Sequence, residues 1–379
     1  MQKGEKVDFL FAIYRYFPYG GLQKDFLRMA HAALEKGHSV RILAASWEGE
    51  KVPGMEIELL KVSGLTNHGK MASFAEKVRE RRKDFPASPL FAFNRFGGAD
   101  YYFAADNCLA GRVRKKHPAW VLKLFPRYSA ILEREREVFA PGLPTKIFYI
   151  VERQKEEYIA AYGTEEERFI YLPPGIDERC ILPENAPEIR QKKRETLGIK
   201  EGEKLLLLVG ANLKGKGADR VLKGVAALPE EMRKNIRIFF AGSTGEKEMK
   251  NAAEILALQE KVIFGGGRKD VPELLLAADL MVHPAREEAT GTVLAEALAM
   301  GLPVIASGEC GFAPLVEEYG GKALAEPFRQ EELAEVLEEM LSGENLAACR
   351  QKILQRCAGV DFHARSRKAI EWMEKNQDV

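Results

Sequence analysis

One stretch, Ala278 to Ser307 (ADLMVHPAREEATGTVLAEALAMGLPVIAS), constrains the fold more than any other. Leu280-Met281-Val282-His283 is an apolar run of strand length, too short for a helix, and Pro284 stops it. A polar loop, Ala285 to Thr290, leads to Gly291, where a helical pattern opens. Its apolar positions Val293, Leu294, Ala297, Leu298 and Met300 recur at three- and four-residue spacing. Gly301 supplies a left-handed stop, and Leu302 to Ala306 reads as the next strand. A strand–loop–helix–strand unit of this kind belongs to a parallel sheet, whose ligand sits in the loop at the strand's carboxyl end.

The same alternation recurs along the chain. Strands are expected at Val7–Tyr14, His38–Ala44, Leu90–Phe93, Asp100–Ala105, Lys204–Val209, Ile236–Ala241 and Val262–Phe264. Lys146–Val151 reads as the last strand of a first domain. Helices are expected at Leu22–Glu35, Ile189–Leu197, Glu331–Leu341, Leu346–Arg356 and Phe362–Glu374. A length of 379 residues exceeds what one core usually supports. The expectation is therefore an α/β protein of two doubly wound parallel sheets. The turn Pro173-Pro174-Gly175-Ile176-Asp177 marks the junction, giving domains at 1–172 and 173–359, with the tail from about 360 to 379 assigned to the first.

Two acids frame the central loop. Glu288 lies in it and Glu296 follows eight residues later, inside the helix. Backbone amides around Gly291 and Thr292 point into the same crevice, where a helix start attracts phosphate. A carboxylate on each side of such amides suits a sugar nucleotide, whose two diols flank a diphosphate. The simpler alternative is that Glu296 caps its helix and Glu288 is solvated surface. A second glycine-rich turn, Gly210-Ala-Asn-Leu-Lys-Gly-Lys-Gly217, follows the Lys204–Val209 strand. Lys216 on it is placed to neutralise a diphosphate leaving group.

In the first half, Gly20 and Gly21 between strand and helix let a substrate approach the backbone. No G-x-G-x-x-G is present, which argues against a dinucleotide fingerprint. Asp25, in the helix that follows, is either a dipole-matched acid or a site residue. Asp106 ends a strand in Phe-Ala-Ala-Asp and is a candidate to orient or deprotonate an acceptor hydroxyl, the alternative being a loop cap. Arg112, Arg114, Lys115, Lys116 and Lys123 interleave with Trp120 and Phe125, the mixture an anionic bilayer surface selects. A partly buried helix with a solvated basic face would look the same. Glu133, Glu135 and Glu137 follow at once, and the net charge is +1, so a nucleic-acid partner is disfavoured.

Apolar content of 46% and charged content of 30% are those of a soluble globular protein. Five scattered cysteines form no Cys/His cluster, and a reducing cytoplasm fits them. The Val7–Ile13 run is too short and too soon charged for a signal peptide, and no run is long enough to span a bilayer.

The chain resembles family 4 of the retaining glycosyltransferases. The resemblance lies in the two glutamates with seven residues between them ahead of Gly-Leu-Pro-Val, in Lys216, and in Pro-Pro-Gly-Ile-Asp at the junction. Within the family it is similar to the lipopolysaccharide-core glucosyltransferases, on Tyr16 to Asp25, Ser46-Trp-Glu-Gly49, Thr66-Asn-His-Gly69 and Phe103-Ala-Ala-Asp106. The resemblance implies the GT-B fold, with two Rossmann-like domains facing across a cleft and a last helix crossing back to the first. It gives Glu288 to the transferred sugar and Glu296 to the ribose. Ala289, Thr290, Gly291, Thr292 and Val293 fall to the donor, Gly20 and Gly21 to donor phosphates and acceptor, and Arg268 to the neighbourhood of the base. The family's phosphate-binding arginine is absent, since Gly215 precedes Lys216, and Lys214 is its possible replacement as a point charge.

The function implied is transfer of a hexose, glucose first, from a UDP-sugar to the heptose of the lipopolysaccharide inner core. Neither metal nor other cofactor is expected, since no H-x-E, H-E-x-x-H or D-x-D signature is present, and neutralising the diphosphate then falls to Lys216 and helix amides. The protein is expected to be a monomer, cytoplasmic and peripheral on the anionic inner membrane. A UDP-sugar epimerase of related fold and a non-catalytic UDP-sugar sensor stay open as alternatives.

Overall fold

The computed structural model describes residues 6–18, 20–116 and 126–376. Trp120, Lys123 and Phe125 lie outside the described residues. So do the side chains of Arg112, Arg114, Lys115 and Lys116, whose backbone forms the helix Leu109–Lys116.

The chain divides into two compact units, one of residues 1–175 with 364–379 and one of residues 176–363. In the first, β1 (Asp8–Tyr16), β2 (Ser39–Trp47), β3 (Met55–Leu59), β4 (Leu90–Ala92), β5 (Tyr101–Ala104), β6 (Lys146–Tyr149) and β7 (Phe169–Tyr171) form a parallel sheet. Its order is β3-β2-β1-β4-β5-β6-β7. In the second, β8 (Lys204–Val209), β9 (Ile236–Ala241), β10 (Val262–Phe264), β11 (Leu280–His283), β12 (Val304–Ser307) and β13 (Lys322–Leu324) are ordered β10-β9-β8-β11-β12-β13. Each sheet is built outward from its first strand, then the chain crosses over and builds the other side. The reversals fall between β1 and β4 and between β8 and β11, which makes these the expected ligand crevices.

The two cores differ in kind. In the first, Phe11 packs edge-on against Phe91 at 5.4 Å between centroids, and Phe26 against Phe93 at 4.9 Å. In the second the buried cluster is mainly aliphatic, with Leu206, Leu208, Val221, Leu222, Ile238, Leu280 and Val282. Burial of Leu205 to Leu208 in β8 and of all of β11 is what a strand covered on both faces by helices requires.

Lys146–Tyr149 is not the last strand of its unit, as its sequence suggested. Phe169–Tyr171 adds a further edge strand, pairing Ile147 with Phe169. It has three residues, with Tyr171 exposed, so no apolar run announces it. The helix Asn67–Arg82 was also hidden, because only Phe74, Ala75 and Val78 of it are buried. Its start explains part of the Thr-Asn-His-Gly sequence: the Thr66 hydroxyl accepts from Gly69 N at 3.1 Å, an N-cap. The last helix, Arg365–Lys375, packs on the helix Gly21–Glu35 of the first unit. There Glu374 pairs with Lys36 (2.8 Å) and His38 (2.6 Å).

Candidate active site

The site of the second unit is assembled where β8 and β11 end. Arg286 N donates to Gly215 O at 2.9 Å, lacing the two loops together. Gly217 has φ +82°, and a Cβ there would lie 2.1 Å from the Pro284 carbonyl oxygen. Only glycine permits both that backbone and that approach. Gly210 plays a similar part, since a Cβ on it would meet Lys216 Cγ at 2.5 Å. Thus the lysine stem folds back over the end of β8 and its ammonium engages the Glu288 carboxylate.

Glu288 is held from several sides. Its carbonyl accepts from Gly311 N at 3.2 Å, which fixes the loop against the segment after β12. Its carboxylate lies 3.5 Å from Nε2 of His283, a fully buried side chain at the end of β11. Burial would push the Glu288 carboxyl up, but His283 and, at closer range, the Lys216 ammonium more than offset that and hold it at about 2. Glu288 is therefore an anion with 17% side-chain exposure, not the solvated surface acid of the simpler alternative.

The loop Ala289–Thr290 runs into Gly291, the N-cap of the helix Thr292–Ala299, with φ +84° and no side-chain cap. Phe312 N donates to Thr290 O at 2.8 Å, pinning the loop just before that turn. The amides of Thr292 and Val293 thus begin a helix beside Glu288, an arrangement suited to an anion. Glu296 stands in the second turn and does not cap this start. Its Oε1 accepts from Asp177 N at 3.3 Å, in the Pro-Pro-Gly-Ile-Asp turn.

Other residues singled out by sequence have different surroundings. Lys214 Nζ pairs with Glu248 at 2.5 Å, both side chains more than half exposed, and does not join the Lys216–Glu288 pair. The Arg268 guanidinium engages Asp270 at 2.7 Å through Nε. Asp25 lies beyond the first helical turn, so it is no dipole partner; its carboxylate takes a 2.9 Å bond from the buried Arg365. Burial pushes the Asp25 carboxyl up, and Arg365 and Arg28 offset this only in part. Gly20 caps its helix in extended backbone, and Gly21 begins it with open space around the position of a Cβ. Asp106 is exposed after β5 and lines a cavity of about 540 Å³ in the first unit.

Sequence reasoning read His283 only as the end of a strand. A histidine closing a run of fully buried residues, directly before a polar loop, was the available signal. Among the described residues no group of three or more histidines, cysteines and acids is placed to hold a metal ion. None of the described helices is long and apolar enough to cross a membrane.

Comparison with known proteins bears on this geometry. The family described as "Glycosyl transferases group 1" matches residues 189–354, which include Lys216, Glu288 and Glu296. The lipopolysaccharide glucosyltransferase WaaG of Escherichia coli (strain K12) is 40% identical over 333 residues, 88% of this chain and 89% of its own. A crystal structure of WaaG, a glycosyltransferase involved in lipopolysaccharide biosynthesis, superimposes with a TM-score of 0.87 at 38% identity. It covers 97% of this chain and 99% of its own. Anabaena Alr3699/HepE in complex with UDP-glucose shares the fold, with a TM-score of 0.71 at 18% identity over 97% of this chain and 100% of its own. The chain belongs to the retaining glycosyltransferases of family 4 and has their GT-B architecture of two Rossmann-like α/β domains.

Proposed function

We propose that the chain transfers glucose from UDP-glucose, with retention, to the heptose of the lipopolysaccharide inner core at the cytoplasmic face of the inner membrane. One observation carries this reading: the Lys216–Glu288 pair stands at the reversal of the second sheet, beside an uncapped helix start. The name of the E. coli relative, a lipopolysaccharide glucosyltransferase, supports the choice of donor sugar and acceptor.

Donor binding is an exchange of partners. The Lys216 ammonium turns from Glu288 to the diphosphate, and sugar hydroxyls take its place on the carboxylate. Glu296 accepts from the ribose diol, and the amides of Thr292 and Val293 face the phosphates. The bond from C1 to the β-phosphate oxygen breaks as the acceptor hydroxyl, oriented by Asp106, forms its bond to C1 on the same face. The departing phosphate oxygen takes the proton. Positive charge at Lys216 and the amide dipoles stabilise the developing UDP charge in place of a divalent cation. The basic segment from Arg112 to Lys123 docks the protein reversibly on anionic lipid.

Incubating the protein with a panel of UDP-sugars and a truncated core acceptor tests this. The expected product is an α-glucoside formed from UDP-glucose, at a rate unchanged by EDTA. UDP release without a new glycoside, or no turnover of any UDP-sugar, would refute transfer. Loss of activity in EDTA would refute the metal-free step, and equal sedimentation with neutral and anionic vesicles would refute docking.

A further inference from the structure

The two partners of the Glu288 carboxylate differ in their freedom to move. The Lys216 ammonium and Nε2 of His283 address the same oxygen, Oε2. Lys216 reaches it from a loop, on a flexible aliphatic stem, and its side chain is 22% exposed. His283 reaches it from inside the sheet. Its side chain is fully buried, and its strand register sets it against Ala306 of β12. Its carbonyl accepts from Ala285 N at 2.9 Å and from the Cys310 thiol at 3.7 Å. The lysine can swing away from the acid, and the histidine cannot.

Neither ring nitrogen of His283 makes a hydrogen bond among the described residues. Nε2 stands 3.5 Å from the carboxylate, too long for a formed bond and within a small side-chain rotation of one. A carboxylate accepts and cannot donate, so it favours the tautomer with the proton on Nε2. While Lys216 occupies Oε2 the charge is answered and the imidazole contact stays long. A buried N–H left unmade costs free energy, which is recovered once the acid turns to it.

We infer that His283 is a positioning residue for sugar recognition, taking over Oε2 of Glu288 when Lys216 leaves for the donor diphosphate. The inference rests on the donor reading given above. The N–H then holds Oε2 at about 2.9 Å, and Oε1 is presented to the sugar hydroxyls. Without that hold the carboxylate would lose its orientation when the sugar needs it, because its cation has gone to phosphate. The burial that keeps water from His283 also strengthens the new bond. The imidazole never touches the donor and acts through the acid alone.

Calorimetric titration of the full chain with UDP and with UDP-glucose tests this, since only the second carries the sugar that Glu288 meets. His283→Phe should weaken UDP-glucose tenfold or more and UDP less than threefold. His283→Gln, whose amide N–H reaches toward the place of Nε2, should restore part of the loss. In a Glu288→Gln background, His283→Phe should change the ratio of the two affinities less than twofold, because no carboxylate is left to hold. Equal losses for both ligands, an unchanged ratio, or a loss that adds in full to that of Glu288→Gln would overturn the inference. Should His283→Phe fail to fold, magnetic resonance of protein labelled at its histidines decides. The Nε2–H proton, assigned by its disappearance in His283→Gln, should move downfield on adding UDP-glucose, and a fixed signal would overturn the inference. Glycoside formation is read separately: the expected affinity ratios without transfer would count against the transferase reading alone. Unaltered protein that binds neither ligand would refute the donor reading and this inference with it.

Discussion

The two units use one topology to build opposite electrostatic designs. At the reversal of the second sheet the charges answer each other, Lys216 to Glu288, with His283 behind the carboxylate. Beside the reversal of the first, Arg95 Nε faces the buried Glu135 at 3.5 Å, and neither it nor Nη1 of Arg134 makes a hydrogen bond among the described residues. On the proposed reading a donor competes with an internal ion pair at the second unit, whereas the unmade N–H groups of the first are enclosed by protein.

The largest effect should come from breaking the paired design at its cation. Lys216→Ala should lower turnover by about 10²–10³ while UDP affinity changes less than tenfold, as for a group that acts mainly on the departing charge. Steady-state kinetics and UDP titration separate the two, and equal losses would show uniform binding instead.

Gly217→Ala breaks the scaffold under that pair. A Cβ 2.1 Å from the Pro284 oxygen at φ +82° should cost about 2 kcal/mol or more. The melting temperature should fall by several degrees. An unchanged melting temperature would mean that the two loops part readily.

Acid sharpens the comparison further. The Glu288 carboxyl titrates at about 2 in the fold against 4.5 ordinarily, so the folded state favours its anion. The stability it contributes is present above pH 4.5 and is lost as pH falls toward 2. Glu288→Gln should flatten stability against pH in that window, and an unaltered profile would contradict the pairing. The smallest effect belongs to Lys214→Ala, since an exposed pair contributes about 0–1 kcal/mol. UDP affinity should stay within twofold, and a tenfold loss would make Lys214 the stand-in for the missing arginine after all.

What could be read from sequence followed how local each signal was. The strands at Lys204–Val209, Ile236–Ala241 and Leu280–His283 were legible because apolar runs ended at glycine or proline. The edge strand Phe169–Tyr171 was not, because one covered side demands little apolar sequence. Lys216 and Glu288 were each visible as residues. Their contact was not, since it spans 72 positions and depends on Gly217 lying under Pro284. The dipole reading of Asp25 failed for the same reason, its partner Arg365 being 340 residues away. Arg95 sits in no motif, and its bonds to Asn107 and Tyr158 and its neighbour Glu135 join positions far apart in sequence.

The insertion of one unit within the other has a consequence for biosynthesis. Arg365 closes on Asp25 and on the Pro173 carbonyl, and a Cβ at Gly175 would collide with its side chain at 2.9 Å. These closing residues leave the ribosome only after all of residues 176–363. The half of the protein translated first is thus the last to be completed, and until then Asp25 has only cations of its own helix, such as Arg28, beside it.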